Sequence, residues 1–187
     1  DIYLEVQQTS NDTYLKTYKL DSPLIDNNNI LKSIAGLNLI NDDFTFNSEF
    51  QVYENLSKKE SDRFEYVLPS YFLSKNINSN LSDKGDLFFN SSGFVKNYNT
   101  NVFEKNVVND LLFNSDFSYT ETGLASDYKV LIKNVNTNSK NSEKYKESTA
   151  HTLSSLVQYN LSYPLKRNKN NFKEIFKPIT SLKISPN

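Results

Sequence analysis

The 187 residues carry 21 Lys and Arg against 22 Asp and Glu, with Arg only at 63 and 167, so the chain lacks the basic footprint of a nucleic-acid binder. Zero cysteines exclude a disulfide framework and thiolate metal sites. No run of roughly eighteen apolar residues and no basic-then-apolar opening is present, so the sequence contains neither a membrane helix nor a signal peptide.

Only 37% of the chain is hydrophobic and its mean hydropathy is -0.61, yet it holds 12 Tyr and 13 Phe. Disordered chains are poor in aromatics and carry high net charge, whereas the net charge here is -1. Asn is the commonest residue and Gly and Pro are scarce. Strands must therefore turn on Asn, Asp and Ser, which tolerate the left-handed conformation.

In chain order, a first strand over Ile2 to Thr9 leads into a partly ordered connection, Ser10 to Asn29, that contains Tyr14, Leu15, Tyr18 and Pro23. A second strand, Ile30 to Ile40, sets Leu31, Ala35, Leu37 and Leu39 against Lys32, Gly36 and Asn38. Asn41-Asp42-Asp43 predicts a tight hairpin into the clearest strand of the chain. There Phe44, Phe46, Ser48, Phe50 and Val52 alternate with Thr45, Asn47, Glu49, Gln51 and Tyr53. Strict period 2 separates an apolar face from a wet one in a strand, and in no helix. A charged loop, Asn55 to Arg63, belongs in water, and the strand that follows, Phe64 to Asn76, carries Pro69. Proline cannot donate to a ladder, so a local break or bulge is expected there.

The second half repeats the scheme. Gly85 to Tyr98 and Glu104 to Thr120 read as long strands, the latter with Val107, Leu111, Phe113, Phe117 and Tyr119 opposite Asp110, Asn114, Asp116 and Ser118. A short turn is expected at Glu121 to Leu124. Asp127 to Val135 sets Tyr128, Val130 and Ile132 against Lys129 and Lys133, before a polar loop, Asn136 to Lys146. From Thr152 the alternation sharpens, with Leu153, Ser155, Val157, Tyr159, Leu161, Tyr163 and Leu165 opposite Thr152, Ser154, Gln158, Asn160 and Ser162. A helix over Lys144 to Val157 fits less well. A last strand, Lys177 to Ser185, is truncated. The chain starts and stops inside strand patterns and reads as a piece of a longer protein.

The expected fold is all-β, an antiparallel up-and-down meander of about nine long strands. Short turns alternate with longer charged loops, as in outer-membrane barrels, whose alternating strands run to roughly ten residues. A soluble sandwich alternates too, but its strands average about five or six residues. We therefore expect a segment of a transmembrane outer-membrane β-barrel. Its lumen side would present Asn47, Glu49, Gln51, Asp110, Asn114, Gln158 and Asn160.

Two segments carry a family resemblance: QQTSNDTYLKTYKLDSPL, and LNLINDDFTFNSEFQVYENLSKKESDRFEYVLPSY with its loop ending in Asp62-Arg63. The first resembles a barrel strand followed by an acidic-x-Tyr/Phe-Leu connection. The second resembles a hairpin whose loop ends in Asp-Arg before an aromatic, Leu-Pro strand. In order and spacing they are similar to the LptD (OstA) family, in versions from alphaproteobacteria. That resemblance implies that residues 1–187 are a central part of a large transmembrane β-barrel in the Gram-negative outer membrane, incomplete at both ends and without the family's periplasmic jelly-roll domain. It also implies lipopolysaccharide as cargo, outer-membrane lipid around the barrel, an LptE-like lipoprotein plug, a periplasmic Lpt bridge reached through the missing domain, no nucleic acid and no cofactor. The lateral gate would lie outside this segment.

Catalytic readings are weaker. A Ser-His-Asp arrangement would depend on His151, the sole histidine, and no motif marks an orienting carboxylate for it. Glu49, Asp110 and Asp116 read as solvated lumen charges, and Lys140, Glu143, Lys144, Lys146 and Glu147 as a solvated loop, in preference to acid-base or metal-bridging groups. No metal or nucleotide motif appears, and the chain is not expected to be an enzyme. The alternatives are a porin-type channel and a soluble carbohydrate-binding β-sandwich.

Overall fold

The structure, a computed structural model, describes residues 1–18, 29–77, 84–169 and 172–186. The chain is all-β. Among the described residues the strands are β1 (Ile2–Glu5), β2 (Ile30–Asn41), β3 (Phe44–Asn55), β4 (Phe64–Asn76), β5 (Gly85–Tyr98), β6 (Val102–Ser115), β7 (Ser118–Tyr119), β8 (Ala125–Lys140), β9 (Ala150–Ser162), β10 (Leu165–Lys169), β11 (Phe172–Phe176) and β12 (Ile179–Ile184). A short helix, α1 (Tyr14–Tyr18), and a 3-10 turn, Glu60–Arg63, interrupt them. Nine strands follow one another through a single sheet in the order β1-β2-β3-β4-β5-β6-β8-β9-β12, with β7 paired to β8, while β10 and β11 form a separate two-stranded sheet. This is the antiparallel meander expected from the alternation.

The β2–β3 hairpin shows why the pattern holds. Asp42 and Asp43 make the turn, Asn41 faces Phe44, and the pairing runs unbroken through twelve positions to Ile30 opposite Asn55. Because no residue slips, every second side chain stays on one face. Leu37, Ala35, Phe46 and Phe50 fall on one side, and Gly36, Asn38, Asn47, Glu49 and Gln51 on the other. On the polar side the Tyr3 ring of β1 lies across Gly36, where an added Cβ would meet its Cζ at 2.2 Å. Only glycine leaves room for that ring.

Several boundaries differ from the sequence reading. The first strand stops at Glu5, because from Gln7 the chain turns to side-chain partners: its N–H donates to Ser33 Oγ, and its Oε1 accepts from the Lys32 N–H. The strand expected over Glu104 to Thr120 starts at Val102 and ends at Ser115. Asp116 N then bonds Lys84 O, and only Ser118–Tyr119 resumes pairing. β8 extends to Lys140, past the expected end at Val135, so the polar loop begins at Asn141. Residues 150–157 are strand, with no helix over Lys144 to Val157. β9 ends at Ser162, and the β10–β11 hairpin occupies what the alternation had extended to Leu165. β4 continues through Pro69, whose bond to Leu68 is cis. Of the Ser10 to Asn29 connection, residues 19–28, with Pro23, lie outside the described residues.

The chain divides into two compact units. One comprises 1–74, 91–108 and 135–152; the other comprises 75–90, 109–134 and 153–187. The first has a small buried apolar cluster, Leu15, Leu31 and Leu56, in which α1 covers the ends of β2 and β3. Ile34 is buried as well, but several large apolar side chains lie bare: Ile2 is 85% exposed, Leu4 74% and Phe50 51%. In the second unit Leu182 and Ile184, beside Tyr159 and Val157 across the β9–β12 pair, are exposed as well.

Candidate functional site

In the first unit the polar face of β1–β3 is a hydrogen-bonded row. Tyr3 donates its hydroxyl to Glu49 Oε1 at 2.5 Å, Gln51 donates to the other oxygen of Glu49, and Tyr53 donates to Gln51 Oε1 at 2.8 Å. Residues two apart on a strand point the same way, so the alternation of β3 alone places Glu49, Gln51 and Tyr53 in file. Asn47 continues the row and faces Asn38. Glu49 thus accepts two bonds from neutral donors, which satisfies a carboxylate without a cation.

The second unit gathers Asn114, Gln158 and Asn160 in one groove. It has a volume of about 440 Å³ and is also lined by Phe117, Asp127, Lys129, Lys177 and Ser181. Gln158 donates to Asn160 Oδ1 at 2.7 Å, Ser181 donates to the same oxygen at 2.7 Å, and Asn160 donates to Asp127 Oδ2 at 2.7 Å. These bonds all run toward Asp127, so they fix three side chains and end on a carboxylate. Lys177 Nζ sits 5.0 Å from the centre of the Phe117 ring at the groove's edge, within cation–π range. The volume is of the size that holds a small polar ligand. Amides, hydroxyls and one carboxylate offer hydrogen bonds to hydroxylated molecules and to water, and nothing in the set is a nucleophile with its base.

Asp110, the remaining residue of the predicted polar row, does not join the groove. It pairs with Lys133 Nζ at 2.9 Å through Oδ2, while its Oδ1 is buried without a hydrogen-bond partner. Two groupings therefore come together, Asn47 with Glu49 and Gln51, and Asn114 with Gln158 and Asn160. Tyr3, Asp127, Ser181, Lys177 and Phe117 were not anticipated. For both strand residues Asp127 and Tyr3 the signal was present, since Asp127 alternates in phase with Lys129, and Tyr3 in phase with Asp1, Glu5 and Gln7.

His151 donates from Nδ1 to Asn136 Oδ1 at 2.6 Å and is exposed. That partner is an amide, so no carboxylate orients the ring as a Ser-His-Asp arrangement requires. Among the described residues no group of three or more His, Cys, Asp or Glu is placed to hold a metal ion.

The loop side of the first unit carries a different constellation. Arg63 donates from Nη1 and Nη2 to the two oxygens of Asp12, at 2.8 and 2.6 Å, and from Nε to Glu54 Oε1 at 2.7 Å. The fork on Asp12 holds that carboxyl below the usual carboxylate range, and its bonds to Asp12 and then Glu54 raise the Arg63 guanidinium further. Thr100 donates to Asp62, and Lys58 to Asn99 at 2.8 Å. This cluster fastens the Asp12 segment to the loop after β3.

No family model matches this chain, and no curated protein sequence matches it.

Proposed function

We propose that this chain is a segment of an outer-membrane β-barrel of the LptD (OstA) kind, which moves lipopolysaccharide to the outer leaflet and performs no covalent chemistry. One observation carries the reading: β1–β3 have one hydrogen-bonded polar face and, along the same strands, one apolar face that is largely uncovered. On β1–β3, Tyr3, Asn47, Glu49 and Gln51 are on the first, and Ile2, Leu4, Leu37, Phe46 and Phe50 on the second. A soluble sandwich would cover its apolar face with a second sheet. Here Ile2, Leu4 and Phe50 remain exposed, and strands of 12 to 16 residues from β2 to β9, β7 apart, exceed sandwich lengths. A hydrocarbon medium on that face, with backbone groups satisfied strand to strand, removes the difficulty.

The polar rows then line a lumen. An amphiphile with a saccharide head needs many weak contacts there, because a pathway must release what it accepts. Dispersed amides such as Asn47, Gln51, Asn114, Gln158 and Asn160, partly occupied with one another, meet that need. On this reading the barrel's partners are an LptE-like lipoprotein, a periplasmic Lpt bridge and the surrounding outer-membrane lipid.

Depleting the parent protein in its own cells tests the proposal. Lipopolysaccharide should accumulate beneath the outer membrane, and photo-crosslinking residues at 51, 114 and 158 should capture it in transit. Normal surface lipopolysaccharide with loss of small-solute uptake would instead establish the porin reading.

A further inference from the structure

The segment around α1 folds onto one particular face. Leu31 and Glu54 are register partners and share the face of Ala35, Leu37, Phe46 and Phe50, because every second residue of β2 and β3 points the same way. Leu15 of α1 is buried against Leu31 and Leu56, and Asp12 reaches Glu54 through Arg63. α1 is therefore on the apolar side, at the end of the strands nearest the charged loop. Lys16 Nζ bonds Ser57 Oγ at 3.2 Å, a second tie to that loop.

The composition of this segment differs sharply from the face below it. The Tyr14 and Tyr18 rings meet at a tilt of 49° with centroids 4.8 Å apart and stay exposed, at 42% and 64%. Around them are Lys16, Asp12, Arg63 and Glu54. Below, the row Val52, Phe50, Ser48, Phe46 and Phe44 carries no charge. Its one hydroxyl, on Ser48, donates to Ser70 O at 3.3 Å, and Ser33 alongside donates to Gln7 O at 3.4 Å, so neither depends on water. The run from Phe44 to Val52 spans about 27 Å at roughly 3.4 Å per residue. Tilted as barrel strands are, that is about 20 Å of height, close to the roughly 25 Å apolar band of outer-membrane barrels. Charge and paired tyrosines begin where that height runs out.

Tyrosine has an apolar ring and a wet hydroxyl, and it concentrates at membrane–water interfaces for that reason. We infer that residues 10–18 form an interfacial strap on the outside of the sheet, with Tyr14, Tyr18 and Lys16 seated at the lipid headgroups and the Arg63 ion cluster holding the strap at that depth. This rests on the barrel reading and adds to it the level and the segment at which the bilayer ends. A lysine ammonium at this level suits the anionic and zwitterionic groups of that layer, because its stem can lie on apolar surface while its charge stays wet.

The chain has no cysteine, which suits single spin labels. In the whole protein reconstituted into phosphatidylcholine bilayers, with any other cysteine replaced, labels are placed by Tyr14→Cys, Tyr18→Cys, Phe50→Cys and Lys58→Cys. The ratio of collision rates with oxygen, which concentrates in hydrocarbon, and with a nickel chelate, which stays in water, reports depth. The ratio is expected to be highest at 50, lowest at 58 and several-fold from either at 14 and 18. Arg63→Ala should bring 18 to the value at 58. Values at 14 and 18 equal to that at 58, with 50 still high, would overturn the strap while leaving the barrel in place. Values at 14 and 18 equal to that at 50 would overturn the headgroup depth. A value at 50 no higher than at 58 would overturn the barrel reading itself.

Discussion

Placing an arginine on each face of β3 in turn gives the sharpest test of the proposal that its apolar side meets lipid. Phe50 faces Ala35, which in turn faces Leu4, and all three belong to the apolar side; Phe50 is half exposed. It lies four residues, or about 13 Å, from Glu54 along the strand, so a guanidinium there cannot easily reach the charged rim. Phe50→Arg should cost about 2 to 4 kcal/mol, the range for arginine near the middle of the bilayer. Gln51 is its immediate neighbour but points into the row that contains Glu49. Gln51→Arg loses the bond from Tyr53, worth about 0.5 to 1.5 kcal/mol, and exchanges the amide bond to Glu49 for an ion pair worth up to about 1 kcal/mol. The net change should stay within about 1 kcal/mol by the same estimates. Urea unfolding of the whole protein in lipid bilayers measures both. Equal costs at 50 and 51, or a larger cost at 51, would refute the assignment of faces.

Gly36→Ala should cost about 0.5 to 1.5 kcal/mol, the worth of one hydrogen bond, because the new methyl pushes the far end of the Tyr3 ring off its bond to Glu49; combined with Tyr3→Ala its added cost should vanish in a double-mutant cycle. Gly93→Ala should be harder to accommodate than Gly36→Ala, since its Cβ would lie 2.6 Å from the backbone oxygen of Asn106, which no side-chain rotation can clear; the order of the two unfolding midpoints decides this. Leu31→Ala should cost about 2 to 5 kcal/mol and release α1, read as faster proteolysis within residues 10–18. The strap should also respond to acid: the folded pKa of Asp12 lies below its ordinary value, so its contribution is fully present above that ordinary value and is lost as pH falls through the depressed one. Amide exchange near Asp12 should therefore accelerate only below the usual carboxylate range, and Asp12→Asn should abolish that pH dependence.

Period 2 in β3 placed Phe46 and Phe50 opposite Glu49 and Gln51 before any partner strand was known, because the pleat leaves a side chain only two directions. The same rule assigned Asp110 and Lys133 to polar sides, where they pair, and Asp42-Asp43 located its turn through local backbone preference alone. The β10–β11 hairpin escaped, since Lys166-Arg167-Asn168-Lys169 has no alternation to separate two faces. The early end of β6 escaped too, because Phe117 and Tyr119 stay in phase with Phe113 although pairing lapses at Asp116. Two features belonged to tertiary structure alone. Asn114, Asp127, Gln158 and Ser181 come from four strands and share a groove only because β6, β8, β9 and β12 follow one another in the sheet. Arg63 meets Asp12 across fifty-one positions of sequence, a contact that depends on α1 folding back over Leu31. Alternation is a property of neighbours along the chain, whereas these contacts arise from pairing order and from where a connection comes to rest, which no local period encodes.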